Sequence, residues 1–560
     1  MKIYNIATLC MLGLTSLTAI SCSDDAEEVT TLNFSKNFAP LGTDTKTTQE
    51  TSATIVWEAS ANATGYNLEV FEDDSLTFQG KPVQTLNTTD TQITITELIF
   101  DTRYSVRIRA ITEGMESRTS SWSSVFFRTS AKQFLKNPTE SQISDRSVTL
   151  VWDDEEGYAP TNIVVGPVTH EVTTDEQEAK TATVSGLEPE TNYTALLYYN
   201  GKQCGKRDFT TIADLEGAIL VHDGDDLKKI LENEDLEDNS VIAMYAGTYN
   251  LNGTYDEETG ELLNTGAAKI NKNITIKGIY PTSRPIINGR FEINNGASLV
   301  ISQAIINGTK NSTTDQMFNF KTAEVSYGPL VLQSCDIEGR TDAKGIIYLN
   351  VKSTVEEILI ENSIVHGIQC SGGDFIDSRL GLPRKITVKN STFYDVAGNR
   401  DFFRIDDKAS DFPDQDGPVV SVDHCTFANV GGAATNYRIF YVRFAGNKVS
   451  FTNNIVAGTN YKRGFANNSS TDANPELKDN FYFNCQNLTS PGTGADANII
   501  WFDTSSSEYD IESETGTKVR GKGNGTVLKD SPFKNDAPDF TLNPDSEAAK
   551  AGAGDPRWLQ

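Results

Sequence analysis

Between residues 300 and 456 one short pattern returns six times, and this repeat restricts the fold more than any other feature of the chain. The copies begin at Val300, Leu330, Ile358, Ile386, Val420 and Val449, about 30 residues apart. In each, aliphatic residues alternate with polar ones, a polar pair breaks the run, and a second apolar stretch follows. Alternation at period two marks a strand with one buried face, and no helical pattern intervenes between copies. A unit this short cannot bury its own apolar face, so neighbouring units must stack. With two to three strands per copy, residues 213–560 are expected to wind into a right-handed parallel β-helix. Leu227, Ile230 and Leu231 share one face of a short helix, which is expected to cap the open sheet edge at the N-terminal end.

Stacking sorts the residues into columns. Asn362, Asn390, His424 and Asn453 fall in one column at a turn. Their side chains are expected to hydrogen-bond from rung to rung, so His424 is read as structural rather than catalytic. Cys335 and Cys425 share a core-facing column of small residues with Ala304, Ser363 and Ser391. Three rungs, or ~14 Å, separate the two thiols, too far for a disulfide.

Each copy carries a further strand, at Phe318, Ile347, Ile376, Phe403 and Phe440. If these five point inward, their neighbours point out. One outward column is then Asn319, Tyr348, Asp377, Arg404 and Tyr441; the other is Lys321, Asn350, Arg379, Asp406 and Arg443. Rungs ~4.8 Å apart would line these side chains along the stack, and an extended polymer could lie on them. The net charge of the chain is −29, which argues against nucleic acid as a partner. Yet residues 379–463 hold 12 Lys and Arg against 8 Asp and Glu, with 36 against 69 elsewhere. That local surplus suggests a patch for carboxylate or sulfate, the arginines offering two-point contact. The alternative is a checkerboard of ion pairs, Asp406 between Arg379 and Arg443 and Arg404 beside Asp377, that only supports the stack. Asp406, Asp407, Asp411, Asp414 and Asp416 share a loop and raise calcium as a candidate cofactor. The 1,3,5 ligand spacing with a closing Glu is missing, so the loop is read as solvated.

The first 212 residues have a different texture. Two stretches, 32–130 and 131–212, each deliver a strand ending in Trp (Trp57, Trp152) and later a Leu-x3-Thr-x-Tyr run (Leu98 to Tyr104, Leu187 to Tyr193). This pattern resembles the fibronectin type III module, a β-sandwich whose tyrosine corner that Tyr serves. The chain as a whole is thus expected to be all-β, with two such sandwiches before the β-helix. At the start, Lys2 and the apolar run 6–20 resemble a signal peptide over 1–21, and Leu17-Thr18-Ala19-Ile20-Ser21-Cys22 resembles a bacterial lipobox. Cys22 would then carry lipid, and the acidic residues 22–31 resemble the tether of surface-exported Bacteroidetes lipoproteins. The implied location is the outer membrane, lipid-anchored, facing the exterior.

Taken together, these features resemble polysaccharide-utilisation lipoproteins of the Bacteroidetes, and the β-helix is similar to the pectate lyase and chondroitinase B superfamily. The Arg-x-Pro-x-x-Arg pattern of pectate lyases does not occur. The resemblance implies an anionic, uronate-containing polysaccharide (glycosaminoglycan or pectin) as ligand, with a glycan-import complex as a further partner. If the chain cleaves by β-elimination, Arg404 and Arg443 would neutralise the uronate carboxylate, with Arg379 in support. Lys408 would take the proton and Tyr441 would assist the leaving oxygen. Tyr348, Lys321, Asn350, Asp377 and Asp406 would line the binding face. The other reading is a non-catalytic glycan-binding protein using the same face. Glycoside hydrolysis by Asp377 and Asp406 is disfavoured, since adjacent arginines should depress both carboxyls.

Overall fold

The computed structural model describes residues 35–251 and 267–559, apart from 154, 156, 399, 432–436, 460, 462, 468–474, 490–498, 504–510, 513–517, 522 and 536. The signal segment 1–21, Cys22 and the tether 22–31 lie outside the described residues. The rest forms two compact units. One contains residues up to 134 with 155–161 and 196–206; the other contains 135–154, 162–195 and 207 onward.

In the first unit, strands Asp44–Thr48, Ala53–Val56 and Gln92–Ile95 form one sheet. Gln84–Thr88, Gly65–Glu72, Arg103–Ile111 and Ser123–Arg128 form another. All pairings are antiparallel, and Trp57, Tyr104, Val106, Ile108 and Ala110 are buried in one core. The Tyr104 hydroxyl accepts from the Ile99 amide at 2.9 Å, closing the corner that the Leu-x3-Thr-x-Tyr spacing implies. The same bond recurs in the second module, where Tyr193 accepts from the Glu188 amide at 2.9 Å. In both, the Thr of the motif donates to a carbonyl two residues back (Thr102 to Phe100, Thr191 to Pro189) at 2.8 Å.

Among the described residues from Ile219 onward, three long sheets hold 10, 10 and 11 strands. Between Ser240 and Phe502 successive strands of these sheets enter the first, second and third in rotation, and all pairings are parallel except at the C-terminal end of the third. This order is compatible with a parallel β-helix. The repeats lie in register in the first sheet, where Leu299, Leu330, Ile358, Ile386, Val420 and Val449 pair in succession, so the first copy begins one residue before Val300. Three short strands, Ser326–Tyr327, Thr354–Val355 and Leu382–Pro383, add a small fourth sheet that the sequence pattern did not announce. Inside, aromatic rings stack rung on rung, Phe291 on Phe318 and Phe403 on Phe440 with centroids 5.4 Å apart. The helix Leu227–Leu231 buries Leu227 and Leu231 in the same core. No helix among the described residues is long and apolar enough to cross a membrane.

The turn column has a backbone cause. Gln303, Ser334, Asn362, Asn390, His424, Asn453 and Asp479 all have φ between 49° and 55°, the left-handed region. Asn and Asp tolerate it because a short polar side chain can bond locally, which a branched apolar one cannot. The expected rung-to-rung ladder is displaced by one residue. It runs through the buried column, where Ser363 Oγ accepts from Cys335 N (3.1 Å) and Ser391 Oγ from Ser363 N (3.1 Å). Further along, Asn454 Oδ1 accepts from Cys425 N (2.8 Å) and Asn480 Oδ1 from Asn454 N (3.0 Å). In the turn column itself, His424 Nδ1 and Asn453 Nδ2 both bond Asp423, each at 2.8 Å. Cys335 and Cys425 are free and buried, and burial pushes the Cys335 thiol up to about 12.

Candidate functional site

The strands Phe318–Phe320, Ile347–Leu349, Ile376–Ser378, Phe403–Ile405 and Phe440–Val442 are consecutive in the third sheet. Phe318, Ile347, Ile376, Phe403 and Phe440 pair in register and are buried in the core. Asn319, Tyr348, Asp377, Arg404 and Tyr441 therefore form one column on the opposite face. The register continues one residue further. Lys321 N donates to Ile293 O, Arg379 N to Leu349 O, Asp406 N to Ser378 O and Arg443 N to Ile405 O, at 2.8–3.1 Å. Lys321 and Asn350 are exposed, while Arg379, Asp406 and Arg443 are partly so.

What the arginines do there differs from the checkerboard. Arg379 and Arg404 each fold onto the carboxylate two residues away on their own chain segment. Arg379 Nε lies 3.0 Å from both Asp377 oxygens, and the Arg404 fork holds both Asp406 oxygens at 3.1 Å. A third carboxylate joins the two, since Asp374 Oδ2 is 3.4 Å from the Arg379 guanidinium and 3.3 Å from that of Arg404. Asp374 in turn accepts from the Asp401 amide at 3.1 Å, and Asp401 accepts from Arg438 N and Nε at 2.9 and 2.7 Å. Arg438 lies 4.1 Å from the centroid of the Tyr441 ring, with Arg404 at 5.3 Å and Arg443 at 5.6 Å. The Arg443 guanidinium also donates to the Tyr441 hydroxyl at 3.3 Å. The ring anticipated as an open platform thus carries a guanidinium on its face.

Two expectations are corrected. Asp377 was placed among solvent-facing residues, but it is 1% exposed, covered by Arg379 and bonded by the Asp374 amide. Its carboxyl is held above the usual range because burial outweighs the Arg379 hydrogen bond, the reverse of the depression expected beside arginine. Burial likewise pushes Asp401 up to about 6 against the pull of Arg438. Burial also raises the Tyr348 phenol. The Arg404 guanidinium is held more firmly charged by Asp406 and Asp374, although its partial burial opposes this.

Asp374, Asp401 and Arg438 were not among the predicted site residues. Each stands two positions before an inward residue (Ile376, Phe403, Phe440), so reading that column would have found them. The charge window also misled. It opened at Arg379, and including Asp374 and Asp377 makes the balance 12 basic to 10 acidic. Lys408 stands at the N-cap position of the short 3-10 turn Ala409–Asp411 without a side-chain bond to it. The loop aspartates do not fit calcium: Asp406 is engaged by Arg404, and no metal-ligating cluster of three occurs among the described residues.

Residues 38–126 match the family model described as fibronectin type III domain, so the first module is such a domain. Residues 247–396 match one described as a domain of unknown function (DUF4957). That match includes Asp374, Asp377 and Arg379 and ends before Arg404, Tyr441 and Arg443. No curated protein matches the chain. Among solved structures, a two-domain fibronectin type III segment of chicken tenascin is 15% identical, with a TM-score of 0.23, covering 31% of this chain and 98% of its own. A structure described as "FN3tt mut" is also 15% identical, with a TM-score of 0.14, covering 17% of this chain and 97% of its own.

Proposed function

We propose that this chain is a surface glycan-binding protein of a polysaccharide-utilisation system, holding an acidic polysaccharide along the outer face of the third sheet without cleaving it. In this reading Cys22 carries the lipid anchor in the outer membrane, the fibronectin type III modules act as spacers, and the protein serves a glycan-import complex. The parallel sheets are a right-handed β-helix, capped by the helix Leu227–Leu231.

The observation that carries this reading is the fixation of Arg379 and Arg404 by Asp377, Asp406 and Asp374. Guanidinium groups held this way lose little freedom on meeting a ligand, which favours binding. The same pairing argues against catalysis. Holding a carboxylate in place needs only the N–H donors that remain on these groups. Acidifying its neighbouring C–H needs its charge fully neutralised, and these guanidinium charges are already offset by carboxylates. A lyase reading keeps one specific support, the Tyr441 hydroxyl, which accepts from the Arg443 guanidinium at 3.3 Å.

Affinity electrophoresis of the full chain in gels containing hyaluronan, chondroitin sulfate or polygalacturonate separates the two. The expected result is retarded migration with no growth of ultraviolet absorbance from unsaturated uronates. Arg443→Ala should weaken retardation by about tenfold, as for loss of one charge-assisted contact. Absorbance growth that disappears in Tyr441→Phe would replace binding with β-elimination.

A further inference from the structure

The outer face of the second sheet differs in chemistry from that of the third. Strands Thr248–Asn250, Ile286–Asn288 and Ile305–Asn307 pair in register, and their central residues Tyr249, Ile287 and Ile306 are buried in the core. The outward residues make two columns, Thr248, Ile286 and Ile305 beside Asn250, Asn288 and Asn307, and none of the six carries charge. The next rungs change character. Asp336–Glu338 and Ile364–His366 bring carboxylates and an imidazole, with His366 Nε2 at 3.3 Å from Asp336 Oδ1. Over strand Thr392–Tyr394 the C-terminal segment closes the face, Trp558 Nε1 donating to Thr392 Oγ1 and Phe540 lying 5.5 Å from the Tyr394 ring.

The uncharged rungs floor a hollow of about 380 Å³ lined by Thr248, Asn250, Ile286, Asn288, Asn307 and Lys310, within the usual size of a small-ligand site. A larger hollow of about 1070 Å³ shares Thr248 and Asn250 with it and reaches the helix Leu227–Leu231. The amides are fixed in advance. Asn288 Nδ2 donates to Asn250 Oδ1 at 2.8 Å, and Asn307 Oδ1 accepts from Thr309 N and Oγ1 at 2.9 and 2.6 Å. Those bonds leave Asn250 Nδ2 and Asn307 Nδ2 as donors and Asn288 Oδ1 as an acceptor, unused by any described residue.

Such a surface selects its occupant. Nucleic acid needs a row of cations, and the lining of the smaller hollow has Lys310 alone. A peptide strand cannot add here, because the backbone groups of these strands are engaged in pairing within the sheet. A hydroxyl both donates and accepts, as an amide does, and the C–H faces of a sugar ring need apolar contacts such as Ile286 and Ile305 provide. We propose that the hollow on the second sheet is a second glycan site, taking an uncharged, hydroxyl-rich sugar chain. It is independent of the acidic-polymer face on the third sheet.

Calorimetric titration of the full chain with xylohexaose, mannohexaose and cellohexaose tests this, with hyaluronan titrated alongside as the acidic ligand. At least one neutral oligomer should bind. Asn307→Asp keeps the acceptor that Thr309 uses and replaces the free donor with an oxygen, so it should weaken that binding about fivefold, and Asn288→Ala should do likewise. Both variants should leave the urea midpoint and hyaluronan binding little changed, whereas Arg443→Ala should weaken hyaluronan alone. Binding of no neutral oligomer, or equal binding by the parent and both variants, overturns the second site, while hyaluronan still reports on the first. Equal loss of neutral and acidic binding in Asn307→Asp overturns the independence of the two faces.

Discussion

A buried aspartate beside an arginine is subject to two opposed effects, and Asp401 shows which prevails. Arg438 donates to it from N, Nε and Nη2, yet removal from water pushes the carboxyl up to about 6 from an ordinary 3.8. The folded state thus binds this proton more tightly than the unfolded one. Its contribution to stability is complete below about pH 4, declines as pH rises through about 6, and is absent above. Asp401→Asn removes the titration. The stability difference between parent and variant should therefore move in the variant's favour by roughly 2–3 kcal/mol from pH 4 to pH 7. Denaturant unfolding at the two pH values checks this, and parallel shifts of both proteins would refute it. The same effect at Asp377 removes the projected argument against a raised carboxyl there. A sequence can place Asp377 beside arginines but cannot show that one of them lies over it.

At the level of elements, the C-terminal segment acts as a staple across the second sheet. Gly554 N donates to Asn453 O at 2.8 Å, Asp555 N to Thr426 Oγ1 at 3.0 Å, and Thr392 Oγ1 to Asp555 Oδ2 at 2.8 Å. Trp558 Nε1 then reaches Thr392 Oγ1 at 2.7 Å. The segment thereby ties strand Thr392–Tyr394 to Thr426–Ala428, one rung on. Gly554 is required there, since its φ is 82° and a Cβ would approach Ile455 Cδ1 to 2.8 Å. Asp555→Ala leaves buried hydroxyl and amide groups without their partner, so a loss of about 2 kcal/mol is expected in urea unfolding. A change within about 0.5 kcal/mol, the range of ordinary surface substitutions, would show the segment to be incidental. The sequence displays Gly554-Asp555-Pro556-Arg557-Trp558 as a distinctive ending, but its anchor Thr392 lies 163 residues from Asp555.

Across the whole molecule, two compact units imply more than one unfolding step, because each such unit unfolds cooperatively by itself. Tyr104→Phe removes the corner bond to Ile99 in the first unit and should cost about 1 kcal/mol. Calorimetry should show one transition lowered and the other unmoved; a single transition moving as a whole would contradict the division. Much at this scale was legible in the chain. The returning alternation at Val300 through Val449 dictated parallel stacking, since such units have no other way to bury their apolar faces. The spacing from Leu98 to Tyr104 and from Leu187 to Tyr193 specified both corners, because that bond spans only a few residues. Even the outward columns followed, from the strict period of two. The chemistry of those columns did not. Whether an arginine meets solvent or a carboxylate depends on side-chain direction and on residues such as Asp374, which the stack brings beside Arg404 from the preceding rung. Local periodicity is set by neighbouring residues and can be read from them, whereas the pairing and burial of charges depend on chain segments that meet only once the stack has closed.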